Sequence, residues 1–537
     1  MGRALEARYA PRLEEHASEL ADHFAQSTDS ADLAKAVEYG RLAAQRATTV
    51  HAYSEAARLL ESTIEVQEVL DPDDRTTRFD LLLTLGENLG PAGEPLRAAE
   101  EIAPRAMQLA EAMADRERAS QVCELAVEAL HRHSGPRGVR TEVYREWAER
   151  WDRYAAPGTR ARAYADCVLA SVLRLEGRVA DANTRVLRAL ELARQLDERE
   201  LLFRVMASSL FPEGWPPAFQ EEQRQIAYEV TTLPRQGVRN STLALVLQRA
   251  QTMFLVAGDR DRAEQVWREM DQLAVHTKDV VLLLWPLQLE AIRATLDGDL
   301  EGAVSAAEQL IGRATELGIP MAGEVAAEAL AFQPLFQLGR AEKALPITSR
   351  ETRSRIDRGR PSYRIRVLVG LKRALEGRGA DAAQELRQAL SEIETGVAGG
   401  PAPTSALVSL LELAVALRDT ETVIFVREQL HGVIAAVVRD MVVSNVARHL
   451  GSGAALLGEP EAARMELERS LEWATSIRHR PEIALTHLGL AELLLDSAPN
   501  EHGQAREHLD FAIEEFRAMK MQPSLERALR HKGLLHA

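Results

Sequence analysis

Apolar residues along most of this chain recur every three or four positions, in stretches separated by short polar turns. Between Tyr164 and Leu196 the pattern is plain. Leu169, Val172 and Leu173 form one stripe running to Leu175. Glu176-Gly177-Arg178 interrupts it, and Val179, Ala182, Val186, Ala189, Leu190 and Ala193 form a second stripe. Both stripes have helical spacing, which predicts two amphipathic helices joined by a tight turn. Glycine at the junction suits the left-handed residue that closes a helix, because without Cβ it takes positive φ at no steric cost.

The unit recurs. Gly177/Ala182, Gly258/Ala263, Gly298/Ala303, Gly339/Ala344, Gly377/Ala382 and Gly458/Ala463 each place an alanine five residues after a turn glycine, with neighbours about forty residues apart or twice that. The alanine is expected where the two antiparallel helices cross, since a side chain larger than methyl would force the axes apart. A matching small position falls in the first helix at Ala170, Ala291, Gly370 and Gly451, and Gln251 breaks that set. The expected fold is an all-α, right-handed superhelical solenoid of helix-turn-helix repeats with a period near forty residues, in which each unit adds one row of side chains to a continuous surface.

This pattern resembles the tetratricopeptide repeat. The likeness is carried by Leu169-Ala170, Leu450-Gly451 and Leu488-Gly489 in first helices, and by Ala182/Val186/Ala189, Ala263/Trp267 and Ala463/Leu467 in second helices. The period exceeds the family's thirty-four residues, and most units lack its early Trp and late Pro. Longer units of this kind resemble the sensor arms of large bacterial signal-transduction ATPases, including the maltose-activator type. Residues 4–25 and the following DLAKAVEYGRLAAQRA look like the junction between an NTPase module and its repeat arm. The run from Arg480 onward resembles the closing repeats of adenylate/guanylate cyclase–ATPase–repeat proteins. No GxxxxGK[ST] phosphate cradle occurs, so relative to such proteins the chain looks like the arm alone.

Punctuation divides the chain into entry or capping helices at 1–45, a repeat array at 46–395 and a second array at 404–537. The likeliest bend is Gly396–Pro403, because paired glycines and two prolines cannot continue a helix. Net charge is −16, which argues against general nucleic-acid binding, since phosphate contact needs a basic face. No uncharged apolar run reaches membrane-spanning length, and the charged N-terminus lacks a secretory core. The cytoplasm is the default compartment. Cys123 and Cys167 lie in apolar stripes and read as buried free thiols.

Three constellations invite functional readings. Phe211, Trp215 and Phe219 fall in the proline-rich LFPEGWPPAF, which lines a ligand pocket, grips a peptide or plugs an irregular connection. From Arg340 to Arg378 there are 12 Lys or Arg against 4 Asp or Glu. Arg350, Arg353, Arg355, Arg358, Arg360, Arg364 and Arg366 in that stretch would grip a nucleotide, a phosphorylated effector or an acidic segment, or else pair with acids of adjacent repeats. Tyr144, Trp147, Trp151 and Tyr154 share one helical face and read as core packing.

Catalytic and metal signals are weak. His131-Arg-His133 has no third ligand nearby, His502 and His508 lie off one helical face, and no nucleophile elbow is present. No catalytic residue, metal or cofactor is expected. The expected function is a noncatalytic scaffold or sensor arm in bacterial signalling. It would bind a protein segment, from a signalling ATPase or cyclase, on its concave surface. A small anionic effector or nucleotide is the alternative ligand.

Overall fold

The computed structural model describes residues 2–134, 139, 141–176, 178–211, 219–276, 282–344, 363–394, 404–430, 436–439, 442–497 and 501–536, and in them helix pairs follow one another along the chain. Gly177 lies outside the described residues. The other five turn glycines, Gly258, Gly298, Gly339, Gly377 and Gly458, all have positive φ between 74° and 83°. At Gly258 the glycine N–H donates to Leu255 O and the next N–H, of Asp259, donates to Phe254 O at 2.8 Å. The same two-bond closure recurs at Gly339, Gly377 and Gly458, and it satisfies carbonyls that a helix end otherwise leaves open. Asp259 and Asp299 follow their glycines directly and accept from the backbone N–H three residues on, so each turn ends one helix and caps the next.

Of the alanines five residues after the turn glycines, Ala182, Ala263, Ala303, Ala382 and Ala463 are fully buried on second helices, and Ala344 is buried just after the short turn Ala341–Lys343. The close approach is measurable at Gly451 in the helix Val446–Leu456. A Cβ there would stand 2.8 Å from Leu467 Cγ and 3.1 Å from Ala463 O, on the partner helix Pro460–Ser476. Gln251, the exception among the small positions, is explained by its partner. Its Oε1 accepts the buried Trp267 Nε1–H at 2.8 Å, so a polar pair fills the space that two small residues leave elsewhere. Ala303→Trp is expected to cost about 1–3 kcal/mol by overpacking the crossing. Denaturant unfolding checks this, and a wild-type midpoint would show that Ala303 does not sit at a tight crossing.

The chain divides into two compact units, Met1–Val172 with Glu191–Leu196, and Leu173–Leu190 with Asp197–Ala537. In the first, the helices Ser30–Thr49 and Tyr53–Leu70 pair, and a Cβ on Gly40 would fall 2.1 Å from Thr63 Oγ1. Gly40 thus occupies a small crossing position that the glycine–alanine pattern did not reveal. Of the aromatic stripe on Glu142–Tyr154, Tyr144, Trp147 and Trp151 are buried, and Trp151 donates to Ser120 Oγ at 2.9 Å. Tyr154 sits at the rim and donates to Glu111. This stripe is core. Cys123 and Cys167 are buried free thiols, and burial pushes the Cys123 thiol up to about 12.

The second unit departs from a chain of nearest-neighbour contacts. Trp473 donates Nε1–H to the carbonyls of Leu255 and Val256, at 3.1 and 3.2 Å, across 218 and 217 residues of sequence. Arg260, only 6% exposed, donates from Nη1 to the carbonyls of Ile477 and Arg478, both at 3.2 Å. It also reaches Asp297 at 2.6 Å and Glu264 at 2.8 Å. Arg478 returns the contact, donating to Asp261 and Glu264. Further along, Gly298 faces Met519 and Gly339 faces Pro523 so closely that a Cβ would come within 2.5 and 3.1 Å of them. Leu300, Leu335 and Leu338 share one core with Leu488, Leu509, Met519 and Met521.

These pairings ascend together along the chain, from 258 with 476 to 339 with 523. A chain folded back on itself would pair in the opposite order. The ascending order is that of successive superhelical turns stacked edge on edge, with turns inside helix pairs meeting connections between later pairs. Buried in this seam is His479, 2% exposed, whose Nδ1 has no hydrogen-bond partner among the described residues.

Among the described residues, one element is not helical. Ala436–Arg439 and Val442–Asn445 form an antiparallel hairpin, Ala436 opposite Asn445. The run VVRDMVV supplies β-branched residues on either side of a polar break, which favours strands over helix. Asn445 then caps the next helix through Arg448 N–H while its Nδ2 donates to the buried Ser470 Oγ.

Candidate functional site

The helix Thr420–Gln429 has ten residues, whereas the second helices Arg260–His276, Leu300–Glu316, Pro460–Ser476 and His502–Ala518 each have seventeen. At 1.5 Å per residue that shortfall is about 10 Å of helix. Beside it, between Thr420–Gln429 and Pro460–Ser476, lies a groove of about 690 Å³ floored by Leu430, Leu450, Leu457 and Ala462. Ile424 and Met465 line it and are 49% and 61% exposed. Arg427 with Glu459, at 2.7 Å, and Arg469 with Glu466, at 2.8 Å, form ion pairs among its lining residues. The volume falls in the range of ligand sites, and a thioether adapts its shape to what it packs against. The lining combines apolar surface with paired charges.

The residues singled out from sequence are distributed differently. Arg350, Arg353, Arg355, Arg358 and Arg360 lie outside the described residues, as does Trp215, and of Arg364 only its place in the helix Tyr363–Leu375 is described. Three described arginines of that basic stretch pair with acids. Arg340 bonds Glu301 at 2.8 Å, Arg366 bonds Glu392 and Glu385 at 2.8 and 3.2 Å, and Arg373 bonds Glu385 at 2.8 Å. Phe219 is buried at the start of the helix Gln220–Thr232. Phe211 is instead a contact for two arginines, Arg174 and Arg249.

His508 finds a partner that spacing did not suggest. Its Nδ1 lies 2.7 Å from Nδ1 of His487 across the helices Arg480–Ser497 and His502–Ala518, and burial brings the His487 pKa down to about 4. Among the described residues no group of three His, Cys, Asp or Glu is placed to hold a metal ion, and no helix is long and apolar enough to cross a membrane.

No protein-family model and no curated protein matches the chain. Among solved structures it is similar to the crystal structure of the APC/C hetero-tetramer Cut9–Hcn1, with a TM-score of 0.38, 15% identity, and coverage of 92% of this chain and 96% of that one. It is also similar to a circular tandem repeat protein with novel repeat topology and enhanced subunit contact surfaces, with a TM-score of 0.17, 17% identity, and coverage of 98% and 99%. At these scores neither likeness carries a functional argument. The fold stands on the chain's own geometry, an α-helical solenoid of tetratricopeptide-like repeats.

Proposed function

We propose that this chain is a noncatalytic interaction scaffold that holds a segment of a partner protein. The observation that carries the reading is the groove at the short helix Thr420–Gln429, where Ile424 and Met465 expose apolar side chains on an otherwise charge-rich, acidic protein. The groove supports the expectation of partner binding, which the sequence assigned to the concave surface. The resemblance to sensor arms makes a bacterial signalling ATPase or cyclase the first partner to test.

A photo-crosslinking residue at position 465 is expected to capture a discrete partner in native extract. The same probe at Val69, which is 73% exposed in the other unit, should not. Ile424→Glu should abolish the adduct by placing a charge in the groove. Identification of the adduct as an ATPase or cyclase would support the signalling role. Identical adducts at both positions would remove the groove as the docking site.

A further inference from the structure

Two histidines in the helix pair Arg480–Ser497 and His502–Ala518 are flanked by alanines at the same offsets. Ala484 and Ala491 stand three residues before and four after His487, and Ala505 and Ala512 stand likewise about His508. Residues at those spacings share one helix face, and all four alanines are fully buried. Methyl groups let the two helices approach there, so the imidazoles at the middle of each face meet across the crossing. Nδ1 of His487 lies 2.7 Å from Nδ1 of His508.

The pair is fixed on its inner side and open on its outer one. Leu488 and Leu509, each next in sequence to a histidine, are buried in one core with Ile513 and Phe516, which holds both helix backbones. The Phe511 ring packs on His487 with centroids 4.2 Å apart and is itself 39% exposed. Both imidazoles are half-buried, so water reaches them. Glu507 and Arg464 act on His508 with opposite sign, and Glu501 engages Arg464 at 3.0 Å.

We infer that His487 and His508 together ligate one divalent first-row metal ion through their Nδ1 atoms. The geometry selects nickel(II) or copper(II) in a tetragonal arrangement, with water in the remaining positions. Imidazole binds such ions at about 2.0–2.1 Å, and two bonds of that length at a right angle set their nitrogens about 2.8–3.0 Å apart, against about 3.3–3.4 Å at the tetrahedral angle. The observed separation is nearest the right angle, which suits a tetragonal ion better than tetrahedral zinc. Burial keeps both rings uncharged at neutral pH, the form that ligates. Two neutral imidazoles brought nitrogen to nitrogen need a proton or a metal ion between them, because facing lone pairs repel. A proton gives one N–H···N hydrogen bond, whereas a metal ion gives two ligand bonds and ties the two helices together. Among the described residues no third His, Cys, Asp or Glu completes a set with them, so the protein supplies two ligands. Neither histidine lines the groove, and the metal is independent of a partner bound there.

The test is a thermal-shift titration of the untagged full chain, stripped with EDTA and dialysed, against nickel, zinc and magnesium chlorides. Nickel is expected to raise Tm with concentration, zinc to raise it less, and magnesium, which prefers oxygen ligands, not at all. Added EDTA should reverse the rise. His487→Gln and His508→Gln should each abolish it, because one imidazole alone cannot chelate. His502→Gln, which alters an exposed histidine on the same helix as His508, should leave it intact. Equilibrium dialysis against nickel gives a readout independent of melting, in which either variant should retain less metal per chain than wild type. No rise with nickel, a rise that survives both changes, or equal retention by wild type and variants overturns the site and leaves the pair a hydrogen bond. A zinc response equal to or above that of nickel overturns the tetragonal assignment.

Discussion

Trp473→Ala is expected to lower the unfolding free energy of the second unit by about 3–5 kcal/mol, the range for removing a buried tryptophan. The indole is 6% exposed and joins two stacked turns of the repeat array through the carbonyls of Leu255 and Val256. Those carbonyls belong to the end of the helix Asn240–Val256, where intrahelical donors run out. The substitution therefore leaves a cavity and takes the indole donor from the Val256 carbonyl, while Leu255 O keeps the Gly258 N–H. Trp473→Phe separates the terms: it keeps most of the packing and should cost about 1–3 kcal/mol for the lost hydrogen bond. Urea unfolding gives the magnitude, and hydrogen exchange locates it. Amides of 257–263 should lose protection together with those of 477–483. An alanine variant within 1 kcal/mol of wild type would show that the seam contributes little, leaving the turns held by their neighbours alone.

Acidification should attack the same seam. Burial brings the His479 pKa down to about 4, against an ordinary value near 6.5. Glu482 and Asp297 oppose that shift, and Arg448 and Arg260 reinforce it. The folded chain thus holds this imidazole neutral where the unfolded chain has already bound a proton. Between pH 6.5 and 4 the unfolded state binds more protons, so stability falls as pH falls through that window and is fully present above it. The contribution amounts to about 3 kcal/mol. His479→Gln, which cannot titrate, should lessen the slope of the urea midpoint between pH 4 and 6.5, leaving the share that buried His487 contributes over the same window. An unchanged slope would place the acid sensitivity elsewhere.

The repeat was legible because its two strongest constraints are local. A turn residue needing positive φ selects glycine, and a helix crossing selects a methyl group, so Gly258/Ala263 and Gly458/Ala463 announce themselves in sequence. Gly40 and Gly86 did not, because neither is followed by the turn pattern. Yet a Cβ on either would overlap Thr63 or Leu125, and the small residue within an apolar stripe was the available signal. The seam was illegible for a different reason. Trp473, Arg260 and His479 meet residues 217 or more positions away or answer to their charges, and nothing in local periodicity encodes such pairing. The groove escaped notice because it arises from a helix that stops early, next to a valine-rich run that pairs as strands.

The seam also sets a timetable for synthesis. Residues 255–260 leave the ribosome long before Trp473, Ile477 and Arg478 exist, and at 5–20 residues per second the interval is roughly 10–40 s. During that wait the helix end at Leu255 and Val256 has no indole to bind it, Arg260 has no helix terminus to cap, and the apolar edge around Leu335 and Leu338 faces solvent. The early repeats can form as they emerge, since their contacts are with immediate neighbours. Their outer edge cannot close until the repeats from Trp473 onward arrive. A nascent chain stalled in that interval would present the surface that chaperones recognise, and the most damaging truncations would be those that remove the C-terminal repeats while leaving the edge they cover intact.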